Sequence, residues 1–179
     1  TITTTYLPQN NNDFFENCDL SLVDWIGQFT KEFVFDEVVP TIKLPHDQMV
    51  SFANSVFERY LNPFVRHELM SIALNSISKY KARVMQTVKD YYEINNTLPT
   101  HAMFSLASLI KFYFGERNEN EAIKLNDDPK YLQFFANLKE RNLSEAEIVK
   151  EVLANEDMWQ EDLNQFANMH EVVTSYLKL

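Results

Sequence analysis

The sequence predicts a mainly α domain, an irregular multi-helix bundle, and three observations lead there. Apolar residues recur at three- and four-residue intervals along most of the chain. No stretch sustains the period-two alternation of a half-buried strand. Prolines and helix-capping residues punctuate the periodic segments at their ends, where helices start and stop. With 45% apolar and 13% aromatic residues, among them 14 Phe and 8 Tyr, 179 residues suffice for a sizeable core.

Residues 1–20 are rich in Thr and Asn, with Pro8 and the run Asn10-Asn11-Asn12, and read as an irregular lead-in to a helical domain over 21–179. Over residues 21–39, Leu22, Trp25, Ile26, Phe29, Phe33 and Val34 keep helical spacing until Pro40 stops it. After Pro45, the set Met49, Val50, Phe52, Ala53, Val56, Phe57 and Tyr60 repeats the period as far as Asn62-Pro63, where Asn62 is placed to cap the next helix. That third segment, residues 63–95, is long and carries a candidate break near Ser76–Ser78. The next helix starts at Leu98-Pro99-Thr100. It is apolar nearly all round, through Met103, Leu106, Leu109, Ile110 and Tyr113, which predicts a central position, and Gly115 ends it. Residues 116–127 are polar and read as a surface loop. Asp128-Pro129 opens a further helix, Ser144-Glu145-Ala146-Glu147 is a capping box before Ile148 and Val149, and a last helix is expected over about 168–177.

Bulk properties exclude several classes. The formal charge of −10 speaks against a nucleic-acid surface, no apolar run approaches a membrane span, and no signal peptide opens the chain, so neither nucleic acid nor membrane is expected as a partner. A lone Cys18 forms no internal disulfide, which fits a reducing compartment and a cytoplasmic location. The opening at Thr1 fits a fragment or a processed product. With Gly27 and Gly115 the only glycines, neither a G-x-G-x-x-G turn nor a phosphate loop fits into the sequence.

Catalytic chemistry finds little support. His46, His67, His101 and His170 are widely spaced and outside any H-x-x-x-H or H-E-x-x-H pattern, so no metal is expected and they read as solvent-facing or hydrogen-bonded. Cys18 has no recognisable activating neighbour. One constellation does stand out. His67, Ser71, Asn75, Lys79 and Arg83 recur every four residues, forming one stripe if the segment stays helical, while Met70, Ile72, Ala73, Leu74 and Ile77 are expected to pack into the core. Between Glu68 and Asp90 lies no carboxylate, although the chain has 26. Spacing alone leaves two readings open. The stripe is the wet face of an amphipathic helix whose cations meet acids elsewhere, or it is an anion site for a sugar acid, with Lys79 and Arg83 on the carboxylate and Ser71 and Asn75 on hydroxyls.

Residues 57–84, from Phe57-Glu58-Arg59-Tyr60-Leu61-Asn62-Pro63 through Asn75-Ser76-Ile77-Ser78-Lys79 to Arg83-Val84, resemble the signature region of tagaturonate reductases. These, also called altronate oxidoreductases, belong to the mannitol dehydrogenase-like, polyol-specific long-chain dehydrogenases. Asp36-Glu37-Val38-Val39-Pro40-Thr41, the stretch from Phe104 to Gly115, Val152-Leu153-Ala154-Asn155-Glu156 and Trp159-Gln160-Glu161-Asp162-Leu163 extend the resemblance over roughly residues 30–179. It implies a helical C-terminal substrate-side domain of the 6-phosphogluconate dehydrogenase C-terminal-like kind. Such a domain closes over an N-terminal Rossmann-type domain that is absent from this chain and binds NAD. The implied reaction is NAD-dependent interconversion of D-tagaturonate and D-altronate, a hexuronate and its aldonate, in hexuronate catabolism.

The family's K-x-x-x-x-N-x-x-H motif is not present. Lys150 and Asn155 keep the first spacing, but Met158 stands at the His position, so the chain alone is expected to be inactive. Only substrate contacts carry over. Lys79 matches a substrate-binding Lys that follows D-G-S-x in the mannitol branch, Ser71 stands where that branch has a substrate-binding Arg, and His67 falls near the same pocket. The competing expectation is a non-catalytic helical interaction or binding module derived from the family.

Overall fold

The computed structural model describes residues 20–60, 69–118 and 121–177. Residues 1–19, which hold the lead-in and Cys18, lie outside them, as do the Asn62-Pro63 cap and His67. Among the described residues the architecture is helical, around one buried core.

Helix α1 (Leu20–Glu32) continues without a break into a π-helical turn, Phe33–Val38, and a 3-10 turn, Val39–Thr41. Pro40 does end regular helix, but only after the widened turn, in which Val39 N–H reaches back to the Val34 carbonyl. Helix α2 (His46–Tyr60) follows. The described part of the expected segment over 63–95 holds three helices: α3 (Leu69–Ala73), α4 (Ser76–Arg83) and α5 (Met85–Asn95). The break falls at Leu74–Asn75, just before the expected place, because Asn75 takes a left-handed conformation (φ 53°) that asparagine tolerates better than most residues. A second break at Val84 had no counterpart in the sequence reading. The first break also corrects the expected packing. Ala73 and Ile77 are buried and Met70 half-buried, whereas Ile72, in the last turn of α3, and Leu74, just after it, are 45% and 37% exposed.

Helix α6 (Thr100–Phe114) is the centre, as its all-round apolar character predicts. Ala102, Met103, Leu106, Ala107, Leu109, Ile110, Phe112 and Tyr113 are essentially solvent-free, each large one contributing about 1.5–3 kcal/mol through burial. Gly115 closes the helix at φ +71°. The expected loop after it contains a small antiparallel ladder, β1 (Glu116–Asn118) with β2 (Glu121–Ala122). Strands this short carry no alternation for sequence inspection to detect.

Helix α7 (Pro129–Glu140) starts as expected, with the Asp128 carboxylate accepting from Lys130 N–H and Pro129 in the first turn. Helix α8 (Glu145–Leu153) has the full reciprocal capping box of Ser144 and Glu147. A short α9 (Glu156–Trp159) and a 3-10 turn (Leu163–Gln165) precede α10 (Met169–Tyr176), which packs on α6 and α8. No helix among the described residues is long and apolar enough to cross a membrane.

Candidate functional site

The predicted stripe is folded rather than straight. Ser71 lies on α3, Asn75 in the left-handed turn, and Lys79 and Arg83 on α4, with Ser71, Asn75 and Arg83 exposed and Lys79 half-buried. The turn brings the Lys79 side chain back over α3, where its Nζ donates to the Ile72 carbonyl at 2.9 Å. That oxygen belongs to the last turn of α3, which has no intrahelical donor for it, so a cation is well placed there. One of the three ammonium protons is thereby used and two remain for a ligand. Among the described residues, Lys79 and Arg83 form no ion pair with a carboxylate. Two open hollows, one along α2 and one between α7 and α8, are not lined by any stripe residue.

The start of α4 is held from outside its own sequence. Asn75 N–H donates to the Asn126 carbonyl at 3.2 Å. The Ile77 N–H points at both the Tyr113 hydroxyl (3.3 Å) and the Asp127 Oδ2 (3.4 Å). Tyr113 donates its own proton to the same Asp127 oxygen, and Asp128 N–H donates to the other at 2.7 Å. Burial, reinforced by Asp127, pushes the Tyr113 hydroxyl above its ordinary range, so it stays a donor.

A second buried carboxylate organises the central helix. Glu37, 3% exposed, accepts from His101 N–H at 2.6 Å through Oε1 and from Ala102 N–H at 2.9 Å through Oε2, capping α6 where Pro99 offers no side-chain acceptor. The His101 ring lies between carboxylates, Nδ1 2.9 Å from Glu37 and Nε2 3.1 Å from Glu32. Partial burial disfavours its charge, but the hydrogen bonds and attraction of Glu37 and Glu32 outweigh that and raise its pKa. The sequence alone gives Glu37, Asp127 and Tyr113 no role at a site. Glu37 and Asp127 sit 64 and 50 positions from the backbone groups they hold, so no local pattern marks them.

The partial catalytic-motif match is structural here, since the Asn155 Oδ1 accepts from Met158 N–H at 3.0 Å and caps α9. Gly27 lies within α1 and Gly115 ends α6, so the described residues build no glycine-rich cradle for a dinucleotide. No group of three or more His, Cys, Asp and Glu among them converges as metal ligands would.

Residues 24–179 match a family described as the mannitol dehydrogenase C-terminal domain. A protein of Pectobacterium atrosepticum named altronate oxidoreductase is 39% identical over 161 residues, 86% of this chain and 33% of its own length. The protein of the same name in Pectobacterium carotovorum is 38% identical over 161 residues, and that of Escherichia coli O1:K1 is 37% identical over 156 residues, 85% of this chain and 32% of its own. The chain thus spans about a third of the length of the curated relatives it matches.

Proposed function

The chain belongs to the mannitol dehydrogenase C-terminal domain family, and from that premise we propose that it is the substrate-side domain of an NAD-dependent altronate oxidoreductase. The reaction is interconversion of D-tagaturonate and D-altronate. The observation that carries this reading is the 37–39% identity to proteins named for that activity, sustained over 85–86% of the chain.

In this reading the turn between α3 and α4 presents Lys79 to the carboxylate of the sugar acid, with Arg83 adding positive charge one turn on. Ser71, Asn75 and His67 serve hydroxyl or carboxylate oxygens. The support is chemical. Neither Lys79 nor Arg83 is neutralised by an acid among the described residues, and a lysine already oriented by a carbonyl keeps two protons for an anion. NAD supplies the redox chemistry when bound, and in this proposal it is held by a Rossmann-type domain outside this chain. The test is to assay the full-length gene product with NADH and D-tagaturonate. NADH consumption is expected from it and not from residues 20–179 alone, and no turnover with any hexuronate overturns the assignment.

A second reading, a non-catalytic binding module derived from the same family, is favoured by one observation. Neither a dinucleotide cradle nor K-x-x-x-x-N-x-x-H is present in the sequence. The reading frame upstream of Thr1 discriminates: a βαβ unit followed by that motif decides for the enzyme, and a start codon close to Thr1 for the module.

A further inference from the structure

We infer that Asp127, together with Tyr113, is a positioning residue for Lys79, acting through the first turn of α4; the inference rests on the reading of Lys79 as a ligand of the substrate carboxylate. The chain of contacts is continuous. Tyr113 is fixed in the core, stacked on Phe135 at 4.9 Å and edge-on to Phe112. Its hydroxyl and the Asp127 carboxylate meet, and both face the Ile77 N–H. Two residues further on is Lys79, whose backbone N–H bonds to the Asn75 carbonyl and whose Nζ reaches the Ile72 carbonyl.

Nothing local does this job. The linking residue Asn75 is in a left-handed conformation that its side chain does not stabilise by capping. The direction in which α4 leaves the turn is therefore set by the groups that grip its first turn from the 126–127 strap. A carboxylate is the fitting grip. It accepts from several donors at once, and its negative charge complements the positive end of the α4 dipole. Should the grip loosen, Lys79 loses its fixed place over Ile72, and a ligand that depends on it must then order the lysine on binding.

The test uses the full-length gene product, with KM and kcat for D-tagaturonate measured for Asp127→Ala, Asp127→Asn, Lys79→Met and the Asp127→Ala/Lys79→Met double variant. Asp127→Ala is expected to raise KM about tenfold with little change in kcat, the signature of lost ground-state binding. Asp127→Asn keeps one acceptor oxygen for Ile77 but loses the charge and turns an amide NH2 toward the Asp128 N–H, so it should recover only part of the loss. The double variant should be no worse than Lys79→Met alone, because the two act along one path. Multiplying effects, or an unchanged KM in Asp127→Ala, overturn the inference while leaving the carboxylate reading intact. An unchanged KM in Lys79→Met overturns that reading and the inference with it. If Asp127→Ala does not fold, Tyr113→Phe, which keeps the ring packing and removes only the hydroxyl, takes its place with the same expected coupling and the same overturning result.

Discussion

Glu37 and His101, 64 residues apart, are joined twice, since the Glu37 Oε1 accepts from the His101 backbone N–H at 2.6 Å and faces its ring Nδ1 at 2.9 Å. The second Glu37 oxygen takes the Ala102 N–H, so one buried side chain fastens the π-helical turn after α1 to the start of the central helix. The Glu37→Gln variant keeps the shape but replaces one acceptor with an amide NH2 facing a backbone donor. It is expected to lower stability by about 2–3 kcal/mol. In urea this appears as a lower midpoint with an unchanged slope. An unchanged midpoint would remove Glu37 from the interactions that hold the fold together.

The same contact makes stability depend on pH. Partial burial works against the His101 charge, and Glu37 and Glu32 overcome it, so the folded pKa lies above the ordinary 6.5. A raised folded pKa means the folded state holds the proton more tightly than the unfolded chain. The contribution is complete below about pH 6.5 and disappears as pH rises through the folded value. The urea midpoint at about pH 6 should therefore exceed that at about pH 8.5, and His101→Gln should remove most of the difference. A His101→Gln profile as steep as the wild type's would assign the dependence to other groups.

Glu37 and Asp127 show where sequence legibility ends. The helices themselves could be read because their signals are local: Asp128 caps a helix that Pro129 begins, Ser144 and Glu147 cap each other, and Gly115 ends α6. The break at Asn75 was half visible, since asparagine permits a left-handed turn without requiring one, and what selects it is the Asn126 carbonyl, far along the chain. Lys79 could be singled out by the carboxylate-free stretch around it. Its contact with Ile72 could not, because in a continuous helix the Ile72 carbonyl would accept from the Ser76 N–H and lie about 10 Å along the axis from Lys79. Glu37 and Asp127 each stand beside another acid, Asp36 and Asp128, in an acidic chain, and only the tertiary fold reveals what they hold.

At the other end of α6, Gly115 adopts φ +71° while the space around it is ordinary. A Cβ there would meet Leu125 Cδ1 at 3.6 Å and the Ile123 carbonyl at 3.7 Å. The cost of Gly115→Ala is therefore one of backbone conformation and not of collision. About 1 kcal/mol of stability should be lost, with the far-ultraviolet helical signal preserved. A loss of several kcal/mol would indicate a steric conflict that these distances do not contain.

Lys79 offers the most direct test of the substrate reading, because its structural and recognition roles differ in size. Its bond to the Ile72 carbonyl is half-exposed and contributes little to folding, about 0.5–1 kcal/mol. A lysine meeting a desolvated carboxylate is worth more, so Lys79→Met in the full-length gene product should cost about 2–5 kcal/mol in kcat/KM for D-tagaturonate. Arg83, exposed one turn further on, is expected to matter less, and the loss in Arg83→Met should shrink with added salt as that of a screened charge does. The comparison needs the thermal midpoint of each variant beside its kinetics. A Lys79→Met protein with wild-type stability and wild-type kcat/KM places the lysine on the solvated face of α4 and leaves the carboxylate without a ligand there.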